Sequence, residues 1–265
     1  MFQGYEESAK LCGIEILFSR VTKNKIDVED LKEKISEEID FIVLCNPMNP
    51  HGTILTQKEC EILIKEAKNK GCIVIVDEAY GDFADERKYK SCVNFIEKYD
   101  NLLVYKSFSK YYGLAGLPCG YALSSENVIE KLNAINRALP FRVNRLACMT
   151  AISCLEYKNE FDRMARKIKK NKEFLYKKLT ENQVAYIETE TNFILIYLDN
   201  RIDVDDLCVR LLNEENILVK NGKIFKKTNF IRVGIGTKKN IRRFVKGFVR
   251  IYKEMMNNMR KEDTE

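Results

Sequence analysis

Three short apolar runs in this chain each stop at residues that can do chemistry. Phe41-Ile42-Val43-Leu44-Cys45 runs into Asn46-Pro47-Met48-Asn49-Pro50-His51-Gly52. Cys72-Ile73-Val74-Ile75-Val76 runs into Asp77-Glu78-Ala79-Tyr80. Leu102-Leu103-Val104-Tyr105 leads to Ser107-Phe108-Ser109-Lys110, followed by Gly113-Leu114-Ala115-Gly116. Taken singly, each residue has an ordinary use. Asn-Pro pairs form turns, an Asp after a strand often caps a helix, Tyr80 can fill a core, and loop lysines are mostly surface residues. Taken together they are less ordinary. In open α/β sheets, ligands sit at the carboxyl ends of the strands. An amide (Asn49), a carboxylate (Asp77), a phenol (Tyr80) and a lysine (Lys110) would then face one another across the top of one sheet.

The elements needed to place them that way are legible. The three apolar runs lack polar alternation, as expected of parallel strands covered on both faces. Between the first two, Thr56 and Glu59 make a capping box, and the helix they open runs to about Lys70, where Gly71 ends it. Further helices are expected over Gln3 to Cys12, Val28 to Ile35, near Ser91 to Lys98, and over 125–138. A long helix over 143–179, longer than ordinary globular helices and open to a break, follows as a spine between two domains. Ile14 to Phe18, Gly120 to Leu123, Phe193 to Leu198, Ile217 to Val219 and Phe230 to Val233 read as strands. Val204 to Asn213 and Lys239 to Met256 read as helices. Strands alternating with helices imply βαβ units and a mainly parallel sheet, followed by a compact α+β unit.

Bulk properties narrow the function classes. The chain has 265 residues, 45% hydrophobic and 32% charged, as in soluble globular proteins. It has no apolar run near the length of a membrane span and no basic, then apolar, secretory leader. Its nine cysteines are scattered, with no C-x-x-C pair, which points to a reducing cytoplasm and to no metal site. Net charge is +6, with basic clusters at 166–170 and 238–243. Acidic residues are nearly as numerous and the clusters fall on helical patterns, so the reading is solvated faces and no nucleic-acid partner.

With these motifs in order, the chain resembles the fold-type I pyridoxal-phosphate (PLP) enzymes. More narrowly, it resembles class I/II aminotransferases of the histidinol-phosphate aminotransferase group. Pro140-Phe141-Arg142-Val143-Asn144 and Phe230-Ile231-Arg232-Val233-Gly234 extend the match over essentially the whole chain. The resemblance implies an α/β PLP-dependent transferase fold with a mainly parallel sheet and flanking helices, plus a small C-terminal α+β domain. Its division would be a PLP-binding large domain over 1–150, a connecting helix over 151–180 and a small domain over 181–265.

Roles follow from the same resemblance. Lys110 would form the Schiff base with the PLP aldehyde and then act as the base that moves the proton. Asp77 would pair with the pyridine nitrogen and favour its protonated form. Asn49 and Tyr80 would bond the 3′ oxygen. Ser107, assisted by Ser109, would bond the phosphate, and Phe2 would stack on the ring. Arg232, through its planar fork, would take the substrate carboxylate, with Asn144 also on the substrate. Arg142 and Arg145 are nearby candidates for contacts to a substrate phosphate, although surface arginines are their more ordinary reading. The implied partners are a small-molecule amino donor and a 2-oxo acid, in a cytoplasmic homodimer.

Three departures qualify the match. The chain is expected to begin about a quarter of the way into the family fold, without the arm, the Gly-containing phosphate cradle and the tyrosine lent to the neighbouring subunit. Pro118 stands where the family usually has an arginine on the cofactor phosphate, a charge-assisted bond worth about 1.5–3 kcal/mol. His51, the only histidine, stands where Thr is common and reads as a neutral turn replacement. Two alternatives remain within the fold: a threonine-phosphate decarboxylase-like enzyme, and a truncated non-catalytic chain that binds PLP weakly.

Overall fold

The computed structural model describes residues 3–138, 142–225 and 229–262. Two compact units emerge, one of residues 1–49 and 53–161, the other of residues 50–52 and 162–265.

In the first unit the elements are α1 (Gln3–Leu11), β1 (Val21–Thr22), β2 (Lys25–Ile26), α2 (Val28–Lys34), β3 (Phe41–Cys45), α3 (Gln57–Asn69), β4 (Ile73–Asp77), β5 (Leu102–Ser107), β6 (Gly120–Ser124), α4 (Glu126–Ala138) and α5 (Arg145–Glu156). The sheet order is β3-β4-β5-β6. The first three strands are parallel, and β6 closes the edge antiparallel to β5. The capping box forms as expected. Glu59 N–H donates to Thr56 Oγ1 at 3.2 Å, and Thr56 N–H donates to the Glu59 carboxylate at 2.6 Å. At its far end α3 gives way to Gly71, whose φ of +77° suits a residue without a Cβ.

The second unit takes most of α6 (Lys158–Glu181), then β7 (Tyr186–Ile187), β8 (Phe193–Tyr197), α7 (Val204–Glu215), β9 (Lys220–Asn221), β10 (Phe230–Gly234) and α8 (Lys238–Glu262). Its sheet runs β7-β8-β10-β9, antiparallel throughout. Leu175, Leu179, Ile194, Ile196, Leu207 and Phe248 are the heart of its core. Gly52 belongs here: its φ is +77°, and a Cβ on it would sit 1.9 Å from Thr189 Oγ1, so the Asn-Pro-His-Gly turn ends in a residue that tolerates no side chain.

Several expectations are corrected. Ile14 to Phe18 is not a strand; Ile14, Leu17 and Phe18 are exposed and the segment pairs with no described strand. Its β-forming residues have no ladder to join, and a strand is held by its pairs. Ile217 to Val219 is likewise unpaired, and the pairing begins at the next residue, over Lys220 and Asn221. The stretch near Ser91 to Lys98 is a single 3-10 turn, Cys92–Phe95, capped by the Ser91 hydroxyl. The long helix has the break that its length left open, at Tyr157, between α5 and α6. Most consequential, the parallel strands of the first unit are not covered alike on both faces: burial along β4 alternates, with Val74 and Val76 at 0% exposure and Ile73, Ile75 and Asp77 only part-buried.

Candidate active site

Parallel strands deliver their carboxyl ends to one edge. β3, β4 and β5 therefore release the Asn49 loop, the Asp77–Tyr80 turn and the Ser107–Lys110 turn side by side. Register then sorts the side chains by face. Cys45 lies opposite Asp77, Asp77 opposite Tyr105, Ile75 opposite Leu103, and Tyr105 opposite Ala122. Residues so paired share one face. All of them line a cavity of about 620 Å³, together with Asn49, Ala79, Tyr80, Ser107, Ser109 and Lys110. A cavity of this size suits a small molecule or cofactor.

Asp77 is the part-buried carboxylate of this cavity. Its Oδ2 accepts a hydrogen bond from the Tyr5 hydroxyl at 2.8 Å, and its Oδ1 accepts one from the Ala79 N–H at 2.9 Å. Burial pushes the Asp77 carboxyl above the usual carboxylate value, while these two donors and the Lys110 charge pull the other way. The Tyr5 phenol is pushed well above its ordinary range, first by burial and then by the Asp77 charge, so it stays protonated and donates. Lys110 is exposed, with its Nζ 5.8 Å from the centre of the Tyr80 ring. Ser107 Oγ accepts from the Ser109 N–H at 3.1 Å, which fixes the turn leading to Lys110.

Neighbours of these residues do different work. Glu78, adjacent to Asp77, points to the other side of the sheet and is 1% exposed. There it accepts from Ser91 Oγ at 2.6 Å and Cys92 N–H at 2.7 Å, and pairs with Lys106 at 3.1 Å. Asn46 is also buried. Its amide donates to the Leu55 carbonyl at 3.1 Å and accepts from the Leu55 N–H at 2.9 Å, so it closes the loop in which Asn49 sits.

Of the residues singled out in the sequence, Asn49, Asp77, Tyr80, Ser107, Ser109 and Lys110 meet in one cavity. Arg232 lies on β10 of the second unit, its guanidinium 4.8 Å from the Phe193 ring and 5.3 Å from the Phe225 ring. Asn144 caps α5, its side chain accepting from the Leu146 N–H at 2.8 Å, and does not line the cavity. Arg142 and Arg145 are exposed, as is Pro118. Phe2 lies outside the described residues. Tyr5 and Ser8 of α1, Cys45, and Leu132 of α4 line the cavity without having been singled out for it. Tyr5 and Ser8 share one side of the expected first helix, and that was the available signal. Nothing local to α1 announces that this side meets a carboxylate 72 residues away.

A family model for "Aminotransferase class I and II" matches residues 1–248. The chain belongs to the class I and II aminotransferases. Among relatives in this family, the histidinol-phosphate aminotransferase of Caldicellulosiruptor saccharolyticus is 35% identical over 248 residues, 92% of this chain and 67% of the relative. Histidinol-phosphate aminotransferase 2 of Carboxydothermus hydrogenoformans is 33% identical over 224 residues, 84% of this chain and 60% of the relative. The chain thus spans about two thirds of the length of the curated relatives it matches. The crystal structure of the histidinol-phosphate aminotransferase from Clostridium acetobutylicum superimposes with a TM-score of 0.87 at 27% identity, covering 96% of this chain and 76% of that one.

The cofactor of class I and II aminotransferases is pyridoxal phosphate. The cavity fits it. A part-buried carboxylate with one donor on each oxygen still has lone pairs for a protonated ring nitrogen. Two hydroxyls and an exposed lysine stand along one rim turn. Pro118 is exposed and is not among the residues that line the cavity.

Proposed function

We propose that this chain is a pyridoxal-phosphate-dependent aminotransferase that moves an amino group between an amino acid or amino-alcohol phosphate, of the histidinol-phosphate type, and a 2-oxo acid. The observation that carries the reading is the meeting of Lys110, Asp77, Tyr80, Asn49, Ser107 and Ser109 in one cavity at the carboxyl ends of three parallel strands. When bound, pyridoxal phosphate supplies the electron sink for the pair left on the substrate Cα.

The chain's residues divide the remaining work. Lys110 would hold the cofactor and would be the amine that takes and returns the proton at Cα. Asp77, whose anionic form its two donors favour against the burial that opposes it, would pair with the protonated ring nitrogen. Asn49 and Tyr80 would bond the 3′ oxygen, and Ser107 and Ser109 would bond the phosphate. Arg232 would receive the substrate carboxylate as a bidentate partner; Phe2, expected on the ring, lies outside the described residues, and Asn144 caps α5 and does not line this cavity. The first unit is then the cofactor domain and the second the small domain. A homodimer in the cytoplasm completes the reading. Leu146, Met149, Ile152 and Leu155 stand exposed along α5, a surface suited to a second copy, and all nine cysteines are free thiols, as a reducing compartment allows.

The test is turnover. The chain is incubated with pyridoxal phosphate, L-histidinol phosphate and 2-oxoglutarate, and both glutamate and CO₂ are measured. Glutamate formation without CO₂ is the expected result. Release of CO₂ from an amino-acid phosphate would replace transfer with decarboxylation. Absence of any bound cofactor would leave the chain a non-catalytic member of the family.

A further inference from the structure

Helix α1 presents an unusual contact. From Gly4 to Leu11 none of its residues is buried, and Leu11 is 89% exposed, so apolar packing does not account for its position. Yet Gly4, Tyr5 and Ser8 form one wall of the cavity, and the Tyr5 hydroxyl reaches Asp77 at 2.8 Å. A phenol is an amphipathic group: its ring lies along an apolar wall while its O–H needs a partner when buried. Here the partner is the one carboxylate of the cavity wall.

We propose that Tyr5 is a positioning residue for Asp77: by donating to Oδ2 it fixes the orientation of the carboxylate, favours its ionised form, and so aims it at the cofactor's ring nitrogen. The inference rests on the proposed role of Asp77 and deepens it. The two oxygens of Asp77 are held by donors of different kinds, the Ala79 backbone N–H on Oδ1 and Tyr5 on Oδ2. The backbone donor cannot be lost by substitution; the phenol can. A protonated carboxyl keeps an acceptor oxygen but loses the negative charge that favours a protonated ring nitrogen, so the service Tyr5 performs is to favour the charged form of Asp77. The other groups acting on Asp77 are Lys110 from the turn after β5, which favours the anion, and Glu78, which opposes it. Burial first, then Asp77, with smaller effects of Cys45 on β3 and Tyr105 on β5, keeps the proton on Tyr5.

The experiment uses the full 265-residue chain, labelled with ¹³C at the aspartate carboxyl carbons. The Asp77 resonance, assigned by its loss in Asp77→Asn, is titrated without cofactor in the parent and in Tyr5→Phe. Pyridoxal phosphate affinity is then measured for both. The expected results are an Asp77 titration moved to higher pH in Tyr5→Phe and a cofactor affinity reduced roughly tenfold at neutral pH, the loss of one hydrogen bond to a charged group. The affinity deficit should shrink as pH rises and Asp77 ionises. A second variant guards against a folding failure: 3-fluorotyrosine placed at position 5 keeps the ring and strengthens the donor, and should move the Asp77 titration to lower pH. A titration unmoved by either variant, or an affinity unchanged in Tyr5→Phe, overturns the inference. Failure of the parent chain to bind pyridoxal phosphate overturns the cofactor reading itself, and the cofactor-free titration tells the two failures apart.

Discussion

The sheet of the first unit has two faces that share the same strands and little else. On one, Leu44, Val74, Val76, Leu102 and Val104 are at 0–1% exposure and pack on Cys60, Leu63, Ile64 and Ala67 of α3. On the other, one residue along each strand, Cys45, Asp77, Tyr105 and Ser107 line the cavity. Because side chains alternate along a strand, a step of one residue carries the chain from packing to chemistry. Asp77 and Glu78 make the point. Both are acidic and neighbours in sequence, yet Asp77 faces the cavity while Glu78 is sealed behind it against Lys106, Ser91 and Cys92. Stability and activity are therefore separable by parity.

That separation can be broken or sharpened by substitution. The largest effect is expected at Lys110. Lys110→Ala should lower amino transfer about a thousandfold or more while leaving the thermal melt of the cofactor-free chain unmoved, since the side chain is exposed. On the opposite face, Leu44→Ala should cost about 2–5 kcal/mol of unfolding free energy in a urea titration, with the turnover of the folded fraction unchanged. Loss of turnover in the folded fraction of that variant would show that the faces are coupled.

Asp77→Asn should act in opposite directions on the two properties. Transfer is expected to fall about a hundredfold, as the ring nitrogen loses its charged partner. Stability of the cofactor-free chain should rise at neutral pH. The sign follows from the raised pKa of Asp77 in the fold. Below the unfolded value both states hold the proton and nothing is gained or lost. As pH climbs through the folded value, the native state must give up a proton it binds more tightly than the unfolded chain does, and stability falls. The asparagine variant lacks this loss, so its advantage, read from melts at acid and neutral pH, should grow with pH. The smallest effect is expected at the N-cap of α3, where Thr56→Ala should cost about 1 kcal/mol and leave cofactor binding untouched.

Most of the cavity was readable from the sequence because its parts follow local rules. Apolar runs ending at Cys45, Val76 and Tyr105 fixed three strand ends, and the carboxyl edge of a parallel sheet brought Asn49, Asp77, Tyr80, Ser107, Ser109 and Lys110 together. The Thr56–Glu59 box placed the helix that covers the other face. What failed depended on partners distant in sequence. Ile14 to Phe18 and Ile217 to Val219 have the composition of strands but no neighbour to pair with. Periodicity also could not reveal that the sheet is packed on one face and opens to a cavity on the other, because Ile75 and Leu103 are as apolar as Val76 and Leu102. Tyr5 was hidden for the same reason: its function lies in a bond to a residue 72 positions on.

The central claim is that Lys110 is the residue to which the cofactor is bound. The chain is incubated with pyridoxal phosphate, reduced with borohydride to fix the cofactor to whichever lysine holds it, digested, and analysed by mass spectrometry. The account predicts one cofactor per chain on the peptide containing Lys110, and none in Lys110→Ala. Cofactor scattered over surface lysines, or fixed equally in the alanine variant, would contradict it.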